Sequence, residues 1–491
     1  CRRTCRERFL KTLVWFRNDL RIADNTALAA AMAQGGGAAS LSGVFLIAME
    51  QWKQHDWGLP KIDFILRNAL ALSQSLAAMN IPLHVIAAER FADAPNALLK
   101  ITGDERCSHL FFNKEYEVNE VSRDEAVTSE LRAAGVKVSA FHDQTVLPPD
   151  QLRTGAGQFY RVFTPFKNSW ISAIKERLPL STVRTIKAAA ASPRESEHPS
   201  DDLLRHAIAK VNCPATITAM WPAGESEAKE RLKRFTQQAI RTYKTARDFP
   251  ALQGTSALSP YLSAGVISAR KCLTAAISAN DGQLGSGDHN ITTWISELVW
   301  REFYRHVMVG FPRICKHQPF RSETRRIQWR ESEADFQAWC QGETGVPIVD
   351  AAMKQLLATG WMHNRLRMIT AMYLTKDLFI DWRKGERFFM QHLVDADLAQ
   401  NNGGWQWSSS TGTDAAPYFR IFNPISQSKR FDPQGEFIRQ YCPHLAGLDD
   451  KMIHDPSQLP PLMRGQLDYP SPIADHSKAR ARVMEAFKAI K

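Results

Sequence analysis

The sequence is poor in the features that mark several large classes of protein. Its eight cysteines are scattered over 491 residues, with no C-x-x-C pair and no framework spacing. That excludes a disulfide-stapled scaffold and suits a reducing cytosol. No apolar run reaches the length of a membrane-spanning helix, so no part of the chain is expected to cross a bilayer. There is no H-E-x-x-H; His363 reads as a packing or hydrogen-bonding residue, and no metal site is expected. No Ser/His/Asp order suggests hydrolysis. Neither an internal repeat nor a heptad array is present, which removes solenoids and coiled coils. The run Gly35-Gly36-Gly37 precedes an apolar segment instead of following one into a helix. It therefore fails the context of a dinucleotide-binding loop and reads as a flexible connection. The opening CRRTCRERFLK is basic, lacks an initiator Met and is followed by no apolar signal region. Residues 1–11 are set apart as an extension to which no function is assigned.

What is present bounds the answer from the other side. A chain of this length, 44% hydrophobic, buries large cores and divides into two domains. A net charge of +11 and a pI near 9.3 favour an anionic partner such as nucleic acid, a merely soluble basic protein being the alternative. Most of the 13 tryptophans lie in the C-terminal half. From residue 12 to about 145, short apolar runs at 12–16, 43–47, 83–86, 109–112 and 136–140 alternate with helical patterns such as 25–33 and 62–79. Strands separated by helices predict an α/β, doubly wound parallel sheet, with ligands at the carboxyl ends of its strands. Residues 146–214 read as an interdomain linker: Pro148-Pro149, Gly155 and Gly157, then an Ala/Ser/Pro/Glu-rich stretch at 188–201, with partial order over the aromatic 159–175. From 215 to 491 strand signals nearly vanish. Helical patterns run over 227–247, 291–308, 347–359 and 361–374, and predict a large all-α domain.

The most unusual stretch is 361–420. Asp395, Asp397, Asn401, Asn402, two glycines, Trp405 and Trp407 fall within thirteen residues, between long apolar helices. Acids and amides at that density are expensive to bury unless something hydrogen-bonds them. A polar loop in solvent is one reading; a polar cofactor held inside a helical domain is the other. The two tryptophans, Met390 and the aromatic run at 417–422 favour the second. Upstream, Gly254-Thr255-Ser256 with Leu258 and Ser259 offers hydroxyls and backbone N–H groups, suited either to a diphosphate or to an ordinary N-cap.

Set side by side, VWFRNDLR at 14–21, RDFPALQGTS at 247–256, ELVWREFYRH at 297–306 and the 361–420 stretch resemble the photolyase/cryptochrome family. Within it they are most similar to the bacterial folate-antenna, class I cyclobutane pyrimidine dimer (CPD) photolyases. The resemblance runs from about residue 12 to the C-terminus. It implies a five-stranded antenna domain, a helical domain holding FAD, and light-driven electron transfer into a DNA lesion. For FAD it implies contacts from Tyr243, Thr255, Ser256, Ala257, Leu258, Ser259, Trp294, Arg367, Asp395, Ala396, Asp397 and Asn401. Arg367 and Asp395 match a buried pair beside the flavin ring. Asn401 matches the residue facing flavin N5, where an amide suits repair and where plant cryptochromes carry Asp. Trp405, Trp382 and Trp329 match a tryptophan chain that reduces the flavin from the surface; in isolation each is equally a core aromatic.

On the DNA side, the resemblance implies a lesion pocket walled by Trp300 and Trp407 and completed by Glu297, Asn364 and Met368, with Arg247, Arg301, Arg365 and Gln427 as further DNA contacts. The (6-4) photolyases place histidines at the positions of Asn364 and Met368, so the residues here point to CPDs. Asn119 and Glu120, with Cys315 and Lys316 opposite, match the contacts of a 5,10-methenyltetrahydrofolate antenna; a deazaflavin antenna remains open at this point. The implied protein is a cytoplasmic monomer acting on UV-damaged DNA, with no membrane partner. Two rivals are a cryptochrome-type photoreceptor without repair activity and a basic DNA-binding protein without cofactor.

Overall fold

A computed structural model describes residues 11–34, 40–178, 180 and 199–490. The extension 1–10, Gly35-Gly36-Gly37 and nearly all of 188–201 lie outside the described residues. Five strands, β1 (Lys11–Phe16), β2 (Leu41–Ile47), β3 (Leu83–Ala87), β4 (Cys107–Asn113) and β5 (Lys137–Phe141), form one parallel sheet in the order β3-β2-β1-β4-β5. Each coincides with an apolar run read from the sequence. Both faces of the sheet are covered, and side chains alternate between them. Val14 and Phe16 enter the core shared with helices Thr26–Ala33 and Leu59–Ala77, while Leu13 and Trp15 enter a second core with helices Ala94–Asp104 and Val118–Ala133. That is why central strands carry continuous apolar runs instead of alternating ones.

The strand order reverses beside β1, where open α/β sheets commonly bind ligands. Here that crevice is filled by the protein itself. Arg17 donates to Asp124 at 2.6 Å, and the Arg123 guanidinium lies over the rings of Trp15 (4.8 Å) and Phe91 (4.4 Å). A cavity of about 40 Å³ is left.

Beyond the sheet the described chain is helical. The 146–214 segment, expected to be a linker, carries two packed helices. Helix Phe163–Lys175 buries Phe163, Phe166, Trp170 and Ile174. Its Trp170 Nε1 donates at 2.8 Å to Glu302, a buried acid on helix His289–Gly310. Helix Pro199–Val211 meets helix Leu59–Ala77, where Ser73 donates to Asp201 at 2.6 Å. The helical pattern at 227–247 is not one helix. Helix Glu225–Gln238 ends at Ala239, and a turn over Ile240–Thr242 leads into helix Tyr243–Ala246. In a straight helix Ile240 would lie about 140° around the axis from Phe235. The break lets Phe235, Ile240 and Tyr243 all turn inward, with the Phe235 and Tyr243 rings edge-on at 5.8 Å. No described helix is long and apolar enough to cross a membrane, and among the described residues no group of three or more His, Cys, Asp and Glu is placed to hold a metal.

The sheet domain and the helical domain meet through a buried ionic cluster. Arg270, on helix Ala269–Ala279, donates to Asp143 at 2.6 Å and to Asp24 at 3.1 Å. Arg21 also pairs with Asp143 and donates to the Gly265 carbonyl at 2.9 Å. The backbones approach so closely that a Cβ on Gly265 would lie 2.0 Å from the Asn18 carbonyl oxygen. Burial alone would raise the Asp143 pKa; Arg21 and Arg270 outweigh it and hold the carboxyl well below its usual range.

Asp143→Asn should therefore destabilise the protein by about 3–5 kcal/mol at pH 7, because two buried guanidinium groups lose their shared partner. A carboxylate depressed in the folded state contributes stability above its unfolded pKa, about 3.9, and loses it as pH falls toward the folded value. The gap between wild type and D143N should thus be full above about pH 5 and narrow below about pH 4. Urea unfolding across that range measures it, and a gap independent of pH would refute the assignment.

Candidate functional site

A cavity of about 480 Å³ opens between helices His289–Gly310, Asn364–Met372 and Leu398–Ser409. Cofactor sites are commonly of this size. Its inner end is polar. Arg367 donates to both oxygens of Asp395, at 2.8 and 3.1 Å. Asn401 donates its amide to the Glu386 carbonyl at 2.8 Å, which sets how that side chain faces the cavity. Asp397 caps helix Leu398–Ser409 by accepting from Gln400 N at 3.2 Å and is ion-paired with Arg305. Burial would raise the pKa of Asp397, but Arg305, Arg301 and Lys61 together hold it below the usual range. Ala396, Trp294 and Tyr243 complete this end.

The 254–259 turn contributes Ser256 and Ser259 to the same cavity. Gly254 is required by close approach, since a Cβ there would meet the Ala246 backbone at 2.9 Å. Ala257 holds a left-handed conformation, φ +48°, strained for a residue with a Cβ. The helix that follows, Ser259–Ser263, has only five residues. An anion here would depend on the turn's own hydroxyl and N–H donors more than on a helix dipole. Thr255, Ala257 and Leu258 shape the turn without lining the cavity, and Leu258 is buried.

The outer end is aromatic. Trp300 and Trp407 both line it, with Asn364 and Met368 one helical turn apart on the facing helix. Trp300 lies flat on Phe163, centroids 3.6 Å apart and planes 5° from parallel, so its orientation is set by the helix that sequence reading assigned to a linker. Glu297 lines the cavity and is ion-paired with Arg247. Burial raises the Glu297 pKa, and Arg247 offsets this only in part. Arg247 is therefore a partner of the lesion-pocket acid as well as a candidate phosphate contact.

Two other arginines are also engaged within the protein. Arg301 lines the cavity but donates to the Gln144 and Leu262 carbonyls at 2.6 and 3.2 Å. Arg365 donates to Asp248 at 2.8 Å, lies over the Phe431 ring at 4.4 Å and does not line the cavity. Gln427, on helix Pro424–Phe431, also lies outside the lining.

Trp405 lines the cavity from helix Leu398–Ser409 and packs against Phe389 at 5.0 Å. It also presses on helix Trp382–His392, where a Cβ on Gly385 would fall 2.1 Å from its ring. Trp382 begins that helix and is fully buried, whereas Trp329 is partly exposed and packs on Phe379 at 5.1 Å. Sequence reasoning missed Trp339, edge-on to Trp405 at 6.0 Å, and Phe163, because nothing local to either residue marks its partner.

A second cavity, about 210 Å³, lies in the cleft between the two domains. Asn119 and Glu120 line it from the start of helix Val118–Ala133, and Cys315 and Lys316 face them from the helical domain. Among the described residues, Glu120 Oε2 is buried without a hydrogen-bond partner, an acceptor aimed at a donor the chain does not supply. The amino and ring N–H groups of a pteridine would meet that need. Burial, with Glu120, Glu115 and Asp397 nearby, pushes Glu117 up to about 8.

Comparison with known proteins agrees with this geometry. A family model described as DNA photolyase matches residues 12–183, and one described as FAD binding domain of DNA photolyase matches 294–489. The deoxyribodipyrimidine photo-lyase of Escherichia coli is 43% identical over 97% of this chain and 98% of its own length; that of Salmonella typhimurium is 45% identical with the same coverage. Among solved structures, a bacterial class III photolyase from Agrobacterium tumefaciens matches with a TM-score of 0.84 at 34% identity, over 98% of this chain and 97% of that one. A Synechocystis cryptochrome, 24% identical over 97% of this chain and 99% of that one, shares the fold with a TM-score of 0.82. The resemblance read from the motifs is borne out, as is the expected fold, a five-stranded parallel sheet followed by a helical remainder. On the strength of these matches along nearly its whole length, the chain belongs to the DNA photolyase family.

Proposed function

We propose that this protein is a light-driven DNA repair enzyme that splits cyclobutane pyrimidine dimers, with FAD in the 480 Å³ cavity. The observation that carries the reading is that one cavity has both ends: Arg367, Asp395 and Asn401 within, and Trp300, Trp407, Asn364 and Met368 without. A cofactor and a flipped-out dimer held there would touch, with no helix between them. Reduced FAD, when bound, supplies the photochemical electron, which returns after the ring opens, so no net redox change remains.

The chain's own residues do the rest. Trp300 and Trp407 replace the stacking a flipped dimer loses. Glu297, on the cavity wall, presents a carboxyl to the pyrimidine edges. Asn364 hydrogen-bonds without serving as an acid, and Met368 adds a soft apolar contact. The Asn401 amide suits flavin N5 in either protonation state. Trp405, Trp382 and Trp329 form the chain through which an oxidised flavin is reduced. Asn119, Glu120, Cys315 and Lys316 hold a methenyltetrahydrofolate antenna in the cleft, supported by the unpartnered Glu120 oxygen and by the filling of the strand-end crevice. The protein works as a cytoplasmic monomer on UV-damaged DNA.

Trp405→Phe should block photoreduction of oxidised FAD while the fold stands, and repair should survive chemical reduction of the flavin beforehand. Flash absorption with and without dithionite tests this, and photoreduction at the wild-type rate would remove Trp405 from the chain.

Arg247→Ala should weaken binding to a lesion more than binding to undamaged DNA, because it also frees Glu297. For the same reason the salt slope should fall by less than the one unit or so expected of a pure phosphate contact. Equal losses on both substrates with a full unit of slope would instead make Arg247 a phosphate contact alone.

Reduced enzyme under blue light should repair oligonucleotides carrying a CPD and leave a (6-4) photoproduct unchanged. That lesion calls for a proton donor at the positions of Asn364 and Met368, which neither side chain is near neutral pH. Chromatography of the products decides, and conversion of the (6-4) substrate would overturn the assignment.

A further inference from the structure

The two cavities share a wall. Ser263, Ala396 and Asp397 line both the cleft and the flavin cavity. The residue that holds this wall comes from the opposite domain. Lys61, near the start of helix Leu59–Ala77, is 2% exposed. Its ammonium donates to Ser263 Oγ at 2.5 Å and to the Ala396 carbonyl at 2.7 Å, and lies 4.8 Å from the centroid of the Trp57 ring. Ser263 Oγ itself donates to the same carbonyl at 3.0 Å, so two donors lock onto one carbonyl. That peptide sits between Asp395, which receives Arg367, and Asp397, which receives Arg305.

A buried lysine is normally found against a carboxylate. Among the described residues, no carboxylate oxygen lies within 4.0 Å of this one; at pH 7 it is balanced at longer range by Asp397, Asp395 and Glu115, Glu117 being held mostly protonated. Packing alone would be met by an uncharged side chain of the same length, since Ser263 already satisfies the carbonyl. What the ammonium adds is a positive charge in a low-dielectric wall, where charges act over longer distances than in water.

We propose that Lys61 is a positioning residue for the flavin: it fixes the 395–397 wall and, with its charge, favours the anionic reduced state of the flavin on the far side. The inference rests on the flavin reading above. Burial pulls Lys61 down to about 8, against the pull of Asp397, Asp395, Glu117 and Glu115. A lysine is charged below its pKa and neutral above it, so the advantage is present at pH 7 and fades as pH rises through about 8. The titratable groups facing it are those four acids, with Arg305 on the same wall. Glu117 also titrates near 8 and must be separated from it.

The test uses purified flavin-loaded protein, as wild type, Lys61→Met and Glu117→Gln. The ratio of reduced to oxidised flavin is read from the absorption spectrum at a fixed potential set by a reversible redox-mediator couple, from pH 6.5 to 9.5. At pH 7 the ratio in K61M should fall on the order of tenfold, the effect of one unit charge at roughly 10 Å in an effective dielectric near 20. Wild type and E117Q should lose this advantage above pH 8, and K61M should show no such added break. Equal ratios in K61M and wild type at pH 7, or a break that persists in K61M, would overturn the proposal. If K61M does not fold, the wild-type and E117Q series decides: no break in either overturns it, and a break in both supports it. Protein that purifies and reconstitutes without flavin overturns the flavin reading itself, and the proposal with it.

Discussion

Everything in this molecule depends on the charges buried where the two domains meet. Asp143 is 1% exposed and receives guanidinium groups from both sides, Arg21 within its own domain and Arg270 from the helical one. Neither domain alone neutralises its share: undocked, Asp24 and Asp143 lose Arg270, and Arg270 loses both of its acids. Such clusters add little net stability compared with apolar packing, but leaving one member unpaired is costly. Their value is specificity of docking. The glycine at 265, pressed against the Asn18 backbone, leaves no slack in that register. Docking in turn creates the cleft, places Lys61 against the flavin-cavity wall and brings Glu115 and Glu117 near the same partition.

The main cavity follows from a second constraint, the close approach of helices at positions where a side chain is missing. Gly385 admits the Trp405 ring, and Gly403 lies where a Cβ would meet Tyr304 at 2.3 Å. Helix Leu398–Ser409 is thereby drawn against helices Trp382–His392 and His289–Gly310. The space that remains is bordered by acids and amides on one side and flat aromatic faces on the other. A polar, planar cofactor suits the first border and an unstacked pair of bases suits the second. Placing both in one cavity lets an electron pass between them directly.

The electrostatics are arranged to the same end. Arg305, Arg301 and Lys61 hold Asp397 ionised, and Arg367 donates to both oxygens of Asp395. Fixed charges of both signs are thus present before any ligand arrives, so little reorganisation is needed when charge moves. The strand-end crevice, the usual ligand site of such a sheet, is occupied by Arg17 and Arg123 among aromatic rings. The cleft stays open, and there, among the described residues, Glu120 Oε2 is buried without a hydrogen-bond partner.

The sequence by itself determined the local structure and the chemical inventory. Strands β1, β2 and β4 were legible because strands buried on both faces are nearly continuously apolar, and helices such as Pro347–Thr359 because their apolar period is long and proline-started. Most of the flavin and lesion residues that the family resemblance implied converge on one cavity. Only the tertiary structure decided what those residues pair with. Phe163 lies against Trp300, Arg247 is taken by Glu297, Arg365 turns to Asp248, and Lys61 reaches a carbonyl 335 residues away. It also decided that the 227–247 pattern breaks at Ala239 and that helices occupy much of the expected linker. The physical reason is the same in each case. Hydrophobic period is a property of a few consecutive residues, whereas a salt bridge, a ring stack or a helix break depends on which distant surface arrives to meet it.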